Sequence, residues 1–298
     1  MLFQDTARNR RIGIGLVTLT TLCFAVLDTT AKWLVVTLPV AQVVWMRFLT
    51  HVLLTSALLA PVYGRELVRV QQPGLHVLRA AMLASMTGLN FWALQYLQLA
   101  ETGAIQFSVP LLIALISAWQ LGEHLDAKRW LAIVAGFAGV LLVIRPGSQA
   151  FHPAILLSVG NALLYAAFNL LTRRMAATES PAATQLMSAI GATVVTAPFA
   201  LAQWVTPPDL KTWALLALCG LCGGMGHYFV AVAHRYGTAA TLGPFLYQQI
   251  LYMTLGGWLV FGQVPDRFVV LGAVVVVASG LFLLWQEMKS APPPRAEA

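Results

Sequence analysis

Charge is what this 298-residue chain lacks most: Asp, Glu, Lys and Arg together make up 10% of it, against 59% hydrophobic residues. Soluble domains carry about 25% charged residues, so a water-facing surface of this size cannot be assembled, and a soluble enzyme or a disordered chain is excluded. Cysteine is scarce too. Cys23, Cys219 and Cys222 are odd in number and lie inside apolar runs, so no disulfide framework is implied. There is no G-x-x-x-x-G-K-[ST] loop to cradle phosphates, which removes ATP as a driving force, and no H-E-x-x-H or similar ligand cluster for an intramembrane enzyme. No metal or cofactor is expected. The net charge of +7 includes no basic run with interleaved aromatics, so nucleic acid is not a partner. The expected partners are the lipid bilayer and a small molecule, with the oligomeric state left open.

What is present is a series of apolar runs. About 20 such residues span a bilayer as a helix, and ten runs qualify, at roughly 12–36, 40–62, 76–98, 102–121, 128–145, 153–172, 183–204, 211–233, 238–261 and 267–286. Short connections with turn residues, such as Gln72-Pro73-Gly74 and Arg145-Pro146-Gly147, separate them. The fold class is therefore all-α, a polytopic membrane protein of ten transmembrane helices. If the N-terminus is cytoplasmic, the inner set holds Arg8, Arg10, Arg11, Arg65, Arg69, Arg79, Lys128, Arg129, Arg173, Arg174, Arg235, Lys289 and Arg295. The outer set holds only Arg145, Lys211 and Arg267. This bias predicts a bacterial-type inner membrane location with both termini cytoplasmic. The first run continues to Val36, too long for a cleaved signal peptide.

The halves resemble each other. At an offset of 141, Thr20, Phe24, Asp28 and Lys32 correspond to Asn161, Tyr165, Asn169 and Arg173. At 138, Gly88, Phe91 and Ala93 match Gly226, Phe229 and Ala231; at 140, Gly122, Glu123 and Asp126 match Gly262, Gln263 and Asp266. The expected organisation is a five-helix repeat over 1–150, a second over 151–288 and a disordered cytoplasmic tail over 289–298. Five spans is an odd number, so the second copy enters from the opposite side. Inverted repeats are built around a substrate site near the midplane, the plan of secondary transporters.

Paired five-span repeats, Arg47 in span 2, Pro110 in span 4, the Leu-Gly-Glu ending at Glu123 and Gly136-x-x-Gly139 resemble the EamA-type branch of the drug/metabolite transporter superfamily. The likeness covers residues 12 to 286. It implies a ten-helix exporter of amino acids and other small metabolites, most similar to the YddG-type aromatic amino-acid exporters. Gln263, where the family often has Glu, departs from the pattern.

The candidate site residues are polar and aromatic groups inside the spans. Thr20, Phe24 and Asp28, and Asn161, Tyr165 and Asn169, step by four, so each set shares a helix face. Such faces turn from lipid toward a cavity or toward hydrogen bonds with a neighbouring helix. Span 9 offers Thr241, Phe245, Gln248 and Tyr252; span 4 offers Gln106 beside Pro110; spans 3 and 8 offer Asn90, Trp92, His227 and Tyr228. The substrate-binding set is thus Phe24, Asn90, Trp92, Gln106, Tyr165, Asn169, Tyr228, Phe245, Gln248 and Tyr252. Asp28 and Arg47 fall about 6 and 5 Å to the outer side of their span centres, at similar depth and with opposite sign. An ion pair between them or a coupling role is expected, with Lys32 competing for Asp28 or snorkelling outward and His51 available to titrate. Cys219-Gly220-Leu221-Cys222, followed by further glycines, reads as close helix packing rather than redox chemistry. The function expected is a secondary transporter exporting aromatic or hydrophobic amino acids or similar metabolites by alternating access. Another metabolite or drug class is the alternative, with an enzyme or channel further off. Proton coupling and facilitated diffusion both stay open.

Overall fold

A computed structural model describes residues 6–121, 126–176 and 178–290. Glu123 and the last eight residues lie outside that set. Twelve α-helices occur among the described residues, and no strand. They are α1 (Ala7–Leu34), α2 (Val40–Tyr63), α3 (Pro73–Leu94), α4 (Leu99–Gln106), α5 (Val109–Leu121) and α6 (Ala127–Ile144), then α7 (Ile155–Met175), α8 (Pro181–Ala202), α9 (Leu210–Tyr236), α10 (Ala239–Leu246), α11 (Gln248–Phe261) and α12 (Arg267–Ser290). Among the described residues, nine segments are long and apolar enough to cross a membrane, one of them, Leu99–Ile116, running across the break between α4 and α5. The tenth expected span, 238–261, is divided into α10, of 8 residues, and α11, of 14. α12 runs through Ser290, past the position 289 where a tail was expected to start, and sets the Lys289 ammonium 3.8 Å from the Trp285 ring centre; residues 291–298 of that expected tail lie outside the described residues.

Each interrupted span carries a proline close to its break, and only Pro110 stands on the side where a missing N–H interrupts the turn before it. Proline lacks an N–H and cannot complete the helical ladder. Pro110 stands at the second position of α5, directly after the break at Phe107 and Ser108; Pro244 lies in α10, three residues before the break at Tyr247. Phe107 and Tyr247 are 140 apart, the offset already visible between Asp126 and Asp266. Their rings meet at 5.1 Å, so the two breaks face each other inside the bundle.

The helix neighbours follow the repeat. α1 packs on α9 and α3 on α7, which exchange when the halves are interchanged, while α2 packs on α8 and α6 on α12, which map onto themselves. Glycine permits the closest of these contacts: a Cβ on Gly139 would stand 2.9 Å from the Gly272 carbonyl across the α6–α12 seam. The Cys219–Gly226 stretch of α9 is another seam, where a Cβ on Gly220 would come 2.8 Å from the Arg47 carbonyl of α2. Cys219 and Cys222 are buried free thiols there. Asp126 and Asp266 cap the last helix of each half, accepting from Arg129 N at 2.8 Å and from Phe268 N and Val269 N at 2.9 and 3.0 Å. Burial alone would raise the Asp266 carboxyl. The Val269 and Phe268 amides, with Arg145 at 2.6 Å, outweigh it and hold the group below its ordinary value.

Candidate functional site

A cavity of about 150 Å³ lies among α1, α2, α3, α4, α7, α9 and α11, beside the paired breaks. Its apolar wall is formed by Phe24, Phe91, Phe107, Tyr165, Phe168 and Met253, and its polar wall by Asp28, Arg47, Asn90, Gln106, Asn161 and Gln249. Asn90 donates to Asp28 Oδ1 at 2.9 Å, joining α3 to α1, and Asn161 donates to Gln106 Oε1 at 2.8 Å, joining α7 to α4. The amides therefore arrive already oriented.

A second cavity of about 240 Å³ continues toward the α7–α8 connection and shares Leu83, Phe168 and His227 with the first. This vestibule opens at the Lys/Arg-rich end of the bundle. Arg79 crosses it from α3: Nε donates to Thr172 Oγ1 at 3.0 Å, Nη1 donates to the Thr184 carbonyl at 3.3 Å and to Ser188 Oγ, and the guanidinium stacks 4.2 Å from the Phe168 ring centre. His51 and His227 stack at 5.6 Å on the opposite wall, with Gln185 3.3 Å from His51. At the mouth, Glu179 accepts from Gln71 N and Gln72 N at 2.9 and 2.7 Å and lies 3.3 Å from His76. Burial pushes the Glu179 carboxyl up, but the Gln72 amide, the His76 side chain and the Gln71 amide hold it below the ordinary carboxylate range.

The structure sorts the expected residues into two groups. Phe24, Asn90, Gln106 and Tyr165 line the central cavity, together with Asp28 and Arg47. Trp92 does not: two residues beyond Asn90 is about 200° around a helix, and the indole points away from the bundle, 52% exposed. Tyr228 packs near Leu59, Leu67 and Leu186, and Phe245 packs against Val17, Ala233 and Leu242. Asn169 spends its Nδ2 on the Tyr165 carbonyl of its own helix at 2.7 Å. Gln248 faces the apolar groove between α11 and α12, where Tyr252 donates to it at 3.1 Å. A stripe drawn through a continuous span 9 is re-registered by the break at Tyr247, so Gln249 and Met253 take the cavity positions instead.

The charges also differ from expectation. Among the described residues Asp28 and Arg47 form no ion pair; Asp28 is bonded to Asn90 instead. Lys32 neither competes for Asp28 nor snorkels, because its Nζ donates to the Leu94 and Leu97 carbonyls at 2.8 and 2.6 Å, where α3 ends. Thr20 is packing rather than lining: fully buried, it donates to the Leu16 carbonyl and to the Gly226 carbonyl of α9. Phe107, Phe168, Met253 and Arg79 are among the residues sequence reasoning missed. Phe168 neighbours the Asn169 position on a face one step round, and Arg79 was counted as a loop charge although it stands two turns inside α3.

The sequence matches the EamA-like transporter family twice, over residues 11–145 and 152–285. It is similar to the S-adenosylmethionine uptake transporter of Rickettsia bellii, 26% identical over 96% of this chain and 98% of that protein. The riboflavin transporter of Vibrio cholerae is 28% identical over 90% of this chain and 92% of its own. The pseudopaline exporter CntI of Pseudomonas aeruginosa is 28% identical over 91% and 95%. A solved crystal structure superimposes with a TM-score of 0.65 at 17% identity, covering 96% of this chain and 99% of its own, which speaks to the fold alone. These relatives carry names other than aromatic amino-acid exporter, so the likeness to the YddG-type branch narrows to the family.

Proposed function

This chain belongs to the EamA-like transporter family, and within it we propose that the protein exports amino acids or amino-acid-like metabolites bearing an aromatic or hydrophobic group. The observation that carries this reading is the central cavity, where ring surface from Phe24, Tyr165 and Phe168 faces amide and charged groups across about 150 Å³. A cavity of about that volume is large enough for a benzene-sized ring, and stacking aromatics on its apolar wall favour a planar or hydrophobic group there over a fully polar one. The paired breaks of the two halves lie beside it, the arrangement in which transporters hold substrate between repeats. Alternating access then moves one half against the other around the bound molecule.

The Lys/Arg bias supports a cytoplasmic position for both termini and for the vestibule mouth. Substrate would enter there, pass the Arg79–Phe168 stack and settle beside Asn90 and Gln106. A second reading, transport of a larger planar conjugate, is favoured by the continuity of the vestibule with the cavity and by the names of the relatives. Purified protein in liposomes distinguishes them. Counterflow of radiolabelled phenylalanine, tryptophan or methionine is expected, whereas accumulation of S-adenosylmethionine or riboflavin with none of the free amino acids would replace the first reading by the second. Repeating the assay with an imposed pH gradient decides whether protons are coupled.

A further inference from the structure

Among the described residues that line the central cavity, Arg47 is the one with buried polar atoms left without a partner. Its side chain lies in the middle of the bundle, 4% exposed, and both Nε and Nη1 are buried without a hydrogen-bond partner. The guanidinium stands 4.2 Å from the Phe48 ring centre on one side, and α9 presents Gly223 on another, where even a Cβ would come 3.3 Å from Nε. The nearest carboxylate on the cavity wall, Asp28, is turned to Asn90. The contrast with Arg79 is instructive, since that guanidinium is satisfied by Thr172, Thr184 and Ser188.

A buried cation with free N–H groups at a cavity wall is costly unless an anion joins it. Guanidinium presents a planar fork that matches a carboxylate with two parallel hydrogen bonds. We infer that Arg47 is the anchor for a carboxylate of the transported molecule, with the Asp28–Asn90 pair taking its ammonium group across the same cavity. A single arginine with a carboxylate nearby suits a monoanionic group better than a phosphate, whose second charge would meet Asp28. The inference rests on the amino-acid reading above and sharpens it: the head group, rather than the ring, decides which molecules enter.

The test varies the ligand before the protein. Thermal shift and binding titration of the purified transporter are run with L-phenylalanine, L-phenylalaninamide, phenethylamine, 3-phenylpropionate and phenyl phosphate. Wild-type protein is expected to bind L-phenylalanine and to bind the amide and the amine roughly 10–100-fold more weakly, the scale of charge-assisted hydrogen bonds. Arg47→Met should abolish that preference while Arg69→Gln, an exposed arginine lining neither cavity, retains it. Equal binding of phenylalanine and its amide overturns the anchor but leaves the amino-acid reading standing. Binding of 3-phenylpropionate without phenylalanine does the reverse, keeping the anchor and removing the amino-acid reading. Tighter binding of phenyl phosphate overturns the carboxylate assignment, and binding of none of the probes overturns both. Because the first comparison is made on wild-type protein, failure of Arg47→Met to fold does not rescue the proposal.

Discussion

Lys32 provides the sharpest stability prediction, because its role is set by geometry that no sequence pattern states. The ammonium is 6% exposed and donates to the carbonyls of Leu94 and Leu97, the last residue of α3 and the turn beyond it. The Leu94 carbonyl carries the negative end of the α3 dipole, and neither carbonyl has a continuing helix to satisfy it. Replacing Lys32 with Met removes two charge-assisted bonds, each worth about 1.5–3 kcal/mol, and strands both acceptors. Relief of the desolvation borne by the buried ammonium offsets part of this, leaving an expected loss of about 2–3 kcal/mol. At about 2–4 °C per kcal/mol for a chain of this order, detergent-solubilised Lys32→Met should melt roughly 4–12 °C below wild type by intrinsic tryptophan fluorescence. A double-mutant cycle with Asp28→Asn should show coupling under about 0.5 kcal/mol, since the two side chains share no bond. An unchanged melting temperature, or a coupling well above 1 kcal/mol, refutes the capping role and restores a Lys32–Asp28 pair.

Tyr165→Ala should insert normally yet weaken apparent substrate affinity by roughly threefold to tenfold, the worth of a stacking aromatic, while Tyr252→Ala leaves affinity unchanged because its ring lies off the cavity; equal effects of the two in liposome uptake would overturn the cavity assignment. Glu179→Gln should cost about 1–2 kcal/mol at pH 7. Since the folded carboxyl is held below its ordinary value, that stabilisation is complete above about pH 4–5 and lost as pH falls through the folded value, so thermal melts of wild type and variant should converge in acid. Gly272→Ala brings a methyl 2.5 Å from the Gly139 carbonyl oxygen across the α6–α12 seam and should lower stability by about 1–3 kcal/mol, whereas Gly15→Ala, with nothing within 4 Å, should not; comparable melting of the two variants would count against that seam. An alkaline phosphatase fusion after Glu287 should be inactive and a fluorescent-protein fusion bright, and the opposite pattern reverses the topology.

By itself the sequence determined the membrane class, the span positions and the repeat. Ten runs of apolar residues cannot be hydrated, and the backbone inside lipid must be helical, so composition alone decides those features. It also determined the two matching helix caps at Asp126 and Asp266, because a cap is a local arrangement of one side chain and the amides just after it. Phe24, Asn90, Gln106 and Tyr165 were legible as candidates since a polar or aromatic stripe must turn from lipid. Only the tertiary structure decided which stripes reach a cavity. The break at Tyr247 depends on how α10 and α11 meet the opposite half, and it moved the lining from Gln248 and Tyr252 to Gln249 and Met253. Asn169 turned back to the Tyr165 carbonyl of its own helix, Thr20 found the Gly226 carbonyl 206 residues on, and Asp28 found Asn90, 62 residues on, rather than Arg47. Helical spacing reports the direction of a side chain from its own axis. It carries no information about what a second helix places in front of it, and for Lys32, Arg47 and Arg79 that neighbour is the whole difference between a cap, an unsatisfied cation and a latch.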